Sequence, residues 1–234
     1  SALVTFLFIA LVHQGTSVIW TGAAQALGIA PPLFTLLVCT LGGLLVGLLV
    51  KFFGDHSGIF FEVMREFGKT GRFDYRNAPG IVITAFVSLI SGASLGPEAP
   101  LADACGGIGT LVSDKFKLDE QETRTLGYSG VSGMLAAFIT NPFAGALLGL
   151  ESAQGGATGK AAYFWVLFPS LLASAVSTVV FVTLSGAFFE TLYKFPKYAP
   201  RMVDMLYAVP LGLLGAVVGL LFMLSLKRLQ QLFQ

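Results

Sequence analysis

The stretch Gly92-Ala93-Ser94-Leu95-Gly96-Pro97-Glu98-Ala99-Pro100 decides how this chain is read. It sets one carboxylate between two prolines, and it joins two apolar runs, Ile81–Leu95 and Leu101–Val112. A regular helix interior does not hold such a pair, because each proline removes a donor and clashes with the turn before it. The pattern predicts a sharp bend at Gly96 and a new helix with Pro100 in its first turn, where proline is tolerated. At such a start, free N–H groups and the positive end of the helix dipole favour an anion. Glu98 would sit at that end. Its carboxylate could take the anion position itself and leave it when protonated. The plainer alternative is a helix-start residue exposed in a loop, and composition does not choose between the two.

The rest of the chain sets this motif in a membrane. Of 234 residues, 55% are hydrophobic and 12% are charged, about half the ~25% charge of a soluble domain. Mean hydropathy is +0.79. There are 28 glycines, where average usage would give about 16. This composition describes a polytopic helical membrane protein with closely packed helices. It excludes a disordered chain and a disulfide-stapled domain. A net charge of +1 excludes nucleic-acid binding driven by basic charge. Cys39 and Cys105 lie in apolar stretches and read as buried small hydrophobes. His13 and His56 are too sparse for a metal site, so no metal is expected. The chain opens at Ser1 with an apolar run and no signal-peptide pattern, so it is expected to begin partway through a longer product.

Apolar segments follow one another with short polar joints. Ala2–Val12 continues across His13–Ser17 into Val18–Ala30. Pro31-Pro32 suits the start of a helix over Leu33–Phe53, long enough to cross a ~30 Å hydrocarbon layer. Gly54–Arg76 is a polar joint whose basic excess suggests a cytoplasmic loop. Ser113–Arg124 is a charged joint. Leu126–Leu150 would span, but Asn141-Pro142 breaks it. Ala161–Phe189 and Met205–Leu226 are full spans. Unwound backbone at membrane depth survives only inside protein or along a wet cavity. Pairs of broken helices point to a transport site near the midplane.

Two further stretches carry polar groups. In Gly54-Asp55-His56-Ser57-Gly58-Ile59-Phe60, Ser57 can cap the next helix, or give its hydroxyl to an anion. In the third, Gly130-Val131-Ser132-Gly133 precedes Asn141-Pro142-Phe143-Ala144-Gly145-Ala146 and Leu150-Glu151. There Asn141 reads as the cap of a helix restarting at Pro142, and the role is structural. No Ser-His-Asp set, HExxH motif or paired aspartates lie in the spans, so an intramembrane enzyme is the weakest class. A membrane scaffold, with the breaks as packing kinks, remains a distinct reading.

Taken in order, the three stretches resemble the CLC family of chloride channels and chloride/proton antiporters. The family pattern has a Gly-Ser-Gly-Ile-Pro element, a Gly-Arg/Lys-Glu-Gly-Pro element and an Asn-x-Pro-x-Ala-Gly element ending in glutamates. Here they read His56-Ser57-Gly58-Ile59-Phe60, then Gly96-Pro97-Glu98-Ala99-Pro100 with Gly107-Ile108-Gly109 after it, then Asn141-Pro142-Phe143-Ala144-Gly145. The resemblance implies that Ser57 coordinates a central chloride and that Glu98 is the gating glutamate. It implies that amides of Gly58, Ile59 and Ala99 help hold the anion, with Gly96, Pro97, Pro100, Asn141 and Pro142 supporting the motifs. Departures are Phe60 for a proline, Pro97 for a basic residue and Ala99 for a glycine. Ser152 stands where the resemblance puts the internal proton-transfer glutamate, which favours passive permeation over proton coupling.

The expected architecture is all-α and multi-pass, a CLC-like inverted repeat with broken and re-entrant helices. Residues 1–234 would form one transmembrane domain, with residues 1–190 as the first repeat and residues 202–234 as the start of the second. The expected function is permeation of chloride or a similar small anion in the cell membrane. Coupled chloride/proton exchange is the alternative. The expected partners are the anion, the lipid bilayer and a second copy in a homodimer, with no nucleic acid. No cofactor is expected beyond the bound anion.

Overall fold

Helix breaks fall where glycine and proline put them. The computed structural model describes residues 1–54, 59–152, 163–185 and 201–232. The chain divides into two units, Ser1–Glu190 and Thr191–Gln234, treated separately below.

In the first unit, α1 (Ala2–Leu27) runs straight through the polar patch His13–Ser17, with a widened π turn at Val18–Ala23. Gly28, in the left-handed region at φ 59°, ends it. Helix α2 (Pro31–Phe53) starts on its two prolines as expected. Helix α3 (Phe60–Thr70) lies inside the stretch read as a polar joint. The joint hides an amphipathic helix: Val63, Met64 and Phe67 are buried on one face and the charges occupy the other. Helix α4 (Ala78–Ile90) has 13 residues, about 20 Å at 1.5 Å per residue, too short to cross. Helix α5 (Glu98–Phe116) begins at the Glu98 stretch, and α6 (Glu120–Ile139) follows an Asp119 cap that accepts the Glu122 N–H at 2.8 Å. Helix α7 (Pro142–Ser152) restarts after the Asn141-Pro142 break. A second π turn at Tyr163–Leu167 leads into α8 (Phe168–Ser185).

Helix α6 is the centre of the packing, with α5, α7 and α8 around it. Small residues let the backbones approach. A methyl added at Gly109 of α5 would stand 2.7 Å from the Leu126 carbonyl oxygen of α6. Between α6 and α8, Ser174 Oγ donates to the Ser132 carbonyl at 3.1 Å, and Thr178 Oγ1 to that of Ala136 at 3.4 Å. Such bonds hold membrane helices together where no hydrophobic drive separates them from lipid. Aromatic rings fill the core under α3: Phe67 stacks on Phe73 at 4.2 Å and meets Tyr128 edge-on at 4.8 Å. The Arg72 side chain pairs with Asp114, tying the loop after α3 to the end of α5.

The second unit contains α9 (Met202–Leu232), with Pro210 inside it. The Arg201 N–H donates to Asp204 Oδ2 at 2.6 Å at its start.

Among the described residues, Ala2–Leu27, Pro31–Phe53, Phe164–Ser185 and Met202–Ser225 are long and apolar enough to cross a membrane. Their outward faces carry exposed leucines such as Leu36, Leu41 and Leu44, which suits hydrocarbon rather than water. The protein is an all-α, multi-pass membrane protein.

Candidate functional site

The site grows from the end of α4. Gly92, at φ 96°, closes that helix. Its N–H donates to the Leu89 carbonyl at 3.1 Å, and the Ala93 N–H donates to that of Ser88 at 3.2 Å. This pairing is a Schellman cap, which needs a left-handed residue at the glycine position. The chain then runs irregularly to Pro97, the N-cap of α5. The Leu101 N–H bonds back to the Pro97 carbonyl at 3.0 Å. Pro100 has no N–H to strand, and the N–H groups of Glu98 and Ala99 have no acceptor among the described residues. The restart lies where Pro100 predicts, whereas the turn that ends α4 is at Gly92, four residues before the bend expected at Gly96.

Glu98 is the first residue of α5 and is half-buried. Its carboxylate folds back over Gly96, filling the space a side chain there would need. Beside it lies a cavity of about 470 Å³. Ile59, Phe60 and Phe61 line it from the start of α3, Thr84 and Ser88 from α4, and Ala99 from α5. The starts of α3 and α5, about 40 residues apart in sequence, thus open on one space. Among the described residues lining it, Glu98 is the one charged group. A small anion in this space would meet helix N-termini and hydroxyls rather than a full positive charge.

Of the expected site residues, Glu98, Ile59, Ala99, Gly96 and Pro100 line this cavity, and Pro97 caps the helix beside it. Ser57 and Gly58 lie outside the described residues. Ile59 is the N-cap of α3, and its N–H donates to Glu62 Oε2 at 3.4 Å. Asn141 and Pro142 are not among the residues lining the cavity. Asn141 Oδ1 accepts the N–H of Phe143 at 3.0 Å and of Ala144 at 3.1 Å, the capping role read from sequence. The side chain of Ser152 is outside the described set.

Three polar residues were not singled out in advance. Thr84 and Ser88 face the cavity from one side of α4; their signal is an i, i+4 hydroxyl pair in an apolar helix. Asp103 is the third, an acid inside the Gly-rich run of α5. It lines a second, polar cavity of about 800 Å³ with Glu62, Glu66, Asp74 and Arg76. The two cavities are lined by neighbouring turns of α3 and α4. Ile81 of α4 and Val63 of α3 lie on the polar side, one helical turn from Thr84 and Phe60 on the Glu98 side.

No solved structure matches this chain. It is 30% identical over 149 residues to the H(+)/Cl(-) exchange transporter ClcA of Vibrio cholerae, covering 62% of this chain and 31% of the relative. It is 28% identical over 155 residues to the chloride/fluoride channel protein of Pseudomonas syringae, covering 66% and 33%. It is 24% identical to the Escherichia coli protein YfeO, covering 99% and 54%. The chain therefore spans about a third of the length of the first two relatives and about half of the third. The sequence profile described as voltage gated chloride channel matches residues 42–234, which includes α3, α4, α5 and both cavities. With most of its length inside that match, the chain belongs to the voltage-gated chloride channel family, a family of membrane channels and transporters rather than enzymes.

Proposed function

We propose that this protein passes chloride, or a similar small monovalent anion, passively across the membrane. Glu98 is the gate in this reading. Its ionised carboxylate occupies the anion position, and protonation releases it. The anion is held by the N-terminal turns of α3 and α5 through Ser57 and the amides of Gly58, Ile59 and Ala99. The observation that carries the reading is the shared cavity, where both helix starts face one space and Glu98 is the charged group lining it. Dipole ends bind an anion weakly enough to release it, as conduction requires. A lysine in the same place would hold it too tightly.

Coupled chloride/proton exchange is the second reading, favoured by the exchange activity named for the Vibrio cholerae relative. Ser152, where the resemblance expects a glutamate, weighs toward the passive pathway. The test is chloride efflux from liposomes carrying the full-length protein, with external pH recorded together. Efflux without proton uptake supports passive permeation, and efflux with proton uptake replaces it by exchange. In the same assay Glu98→Gln, which mimics the protonated gate, should remove the dependence of flux on external pH. An unchanged pH profile would take Glu98 out of the mechanism.

We further propose a homodimer meeting through the exposed apolar faces of α7 and α8, which carry Phe143 and Leu147 on α7 and Leu172 and Val176 on α8. Cross-linking in mild detergent or lipid should trap dimers; monomers alone would refute it.

A further inference from the structure

The gate segment begins at the end of α4, and two other helices hold that end. The last carbonyls of a helix have no partner within it. In an apolar setting each unmet carbonyl is costly. Here all five from Val87 to Ser91 are met. Ser91 serves Val87 through its N–H at 3.1 Å, and the Schellman cap serves Ser88 and Leu89. The remaining two are served from outside α4. Trp20 Nε1 of α1 donates to the Ile90 carbonyl at 3.0 Å, and Cys39 Sγ of α2 donates to the Ser91 carbonyl at 3.6 Å.

The π turn brings Trp20 to this place. Gly15 and Trp20 are five residues apart, a spacing that sets side chains ~140° apart on a regular helix. Yet both meet Ile90: a methyl built on Gly15 would stand 2.8 Å from its Cγ2, and the Trp20 indole bonds its carbonyl. The widened turn at Val18–Ala23 spans Trp20, and such turns cluster at functional sites. The indole then covers Gly92, where an added methyl would meet the ring at 2.8 Å, and sits edge-on to Phe34 at 6.0 Å. Downstream, the N–H groups of Ser94, Leu95 and Gly96 bond to no described residue. The segment leading to Glu98 is therefore fixed at its two ends, and Trp20 fixes the upstream one.

We infer that Trp20 is a positioning residue for the gate: its bond to the Ile90 carbonyl sets the path of Gly92–Pro97 and so where the Glu98 carboxylate rests. This rests on the reading of Glu98 as gate. Trp20 lies on α1, outside the family-matched region of residues 42–234. No other charged side chain among the described residues lines the Glu98 cavity; Glu62 of α3 and Asp103 of α5 line the polar one. The double variant with Glu98→Gln reads whether a shift in pH response on changing Trp20 acts through Glu98.

Trp20→Phe keeps a ring against Gly92 and removes the donor. The test is chloride efflux from liposomes with the full-length protein, at acid and alkaline external pH, for wild type, Trp20→Phe, Glu98→Gln and the double variant. Loosening the closed carboxylate should raise the alkaline-to-acid flux ratio about fivefold, the scale of one net hydrogen bond. The double variant should match Glu98→Gln alone. A wild-type ratio in Trp20→Phe, with Glu98→Gln flattened, overturns the inference and leaves the gate reading intact. A wild-type profile in Glu98→Gln overturns both. An effect of Trp20→Phe that persists in the double variant places its action elsewhere and also overturns the inference. If Trp20→Phe does not fold, Trp20→benzothienylalanine decides, because it keeps the bicyclic shape and lacks the N–H: a raised ratio supports the inference, and a wild-type ratio overturns it.

Discussion

The carboxylate of Glu98 lies over Gly96, in the space that a Cβ at position 96 would take. Gly96 is the floor on which the acid rests. A methyl there displaces the carboxylate, and overpacking of this kind costs about 1–3 kcal/mol. Gly96→Ala should therefore lower occupancy of the closed position about fivefold or more. Flux at alkaline external pH should rise while flux at acid pH stays near wild type. Equal profiles in liposome efflux would mean that the closed carboxylate rests somewhere else.

Asn141 offers a contrast, because its work is local. Its Oδ1 receives two N–H groups at the start of α7. Asn141→Ala should cost about 1 kcal/mol of stability and leave anion ranking and pH response as they were. Thermal unfolding in detergent and efflux with several halides check the two halves separately. A changed anion ranking would move Asn141 from cap to permeation site.

Ser57 should behave in the opposite way. Replacing its hydroxyl by hydrogen in Ser57→Ala removes a donor to the anion, a loss of about 0.5–1.5 kcal/mol for a neutral hydrogen bond. Relative permeability among small anions should shift, with the melting temperature moved less than in Asn141→Ala. An unchanged ranking would leave Ser57 with a capping role.

Much of this site was legible because proline and glycine punctuate helices for local reasons. Gly92, Pro97 and Pro100 set the ends of α4 and α5, and Asn141-Pro142 sets the break before α7, through their own backbone limits, while Trp20 and Cys39 further hold the end of α4 from outside. Helix α3 was hidden because its charges dominate a short window, while the buried set Val63, Met64 and Phe67 is only three residues. Asp103 escaped notice among glycines and alanines; only the fold shows that α3 and the loop after it bring Glu66 and Asp74 toward it. The π turns carry no composition signal, since their bonds depend on what α1 and α8 pack against. The likeness of motifs ordered along the chain identified the family, whereas the meeting of α3 and α5 at one cavity needed coordinates.

The approach of α5 to α6 gives a last prediction, on the frame rather than the gate. A methyl on Gly109 would stand 2.7 Å from the Leu126 carbonyl oxygen and 2.8 Å from its carbon. Both are backbone atoms, so no rotamer change relieves the contact, and the helices must part. Helix α6 also packs on α7 and α8, so parting it from α5 disturbs the centre of the unit. Gly109→Ala should destabilise by about 1–3 kcal/mol, lowering the melting temperature in detergent by about 4 °C or more. The Glu98 carboxylate lies at the far end of α5, three turns away along the axis. Variant protein that does fold should therefore keep the wild-type pH response, and a stable Gly109→Ala with an altered one would show that the α5–α6 crossing sets the gate.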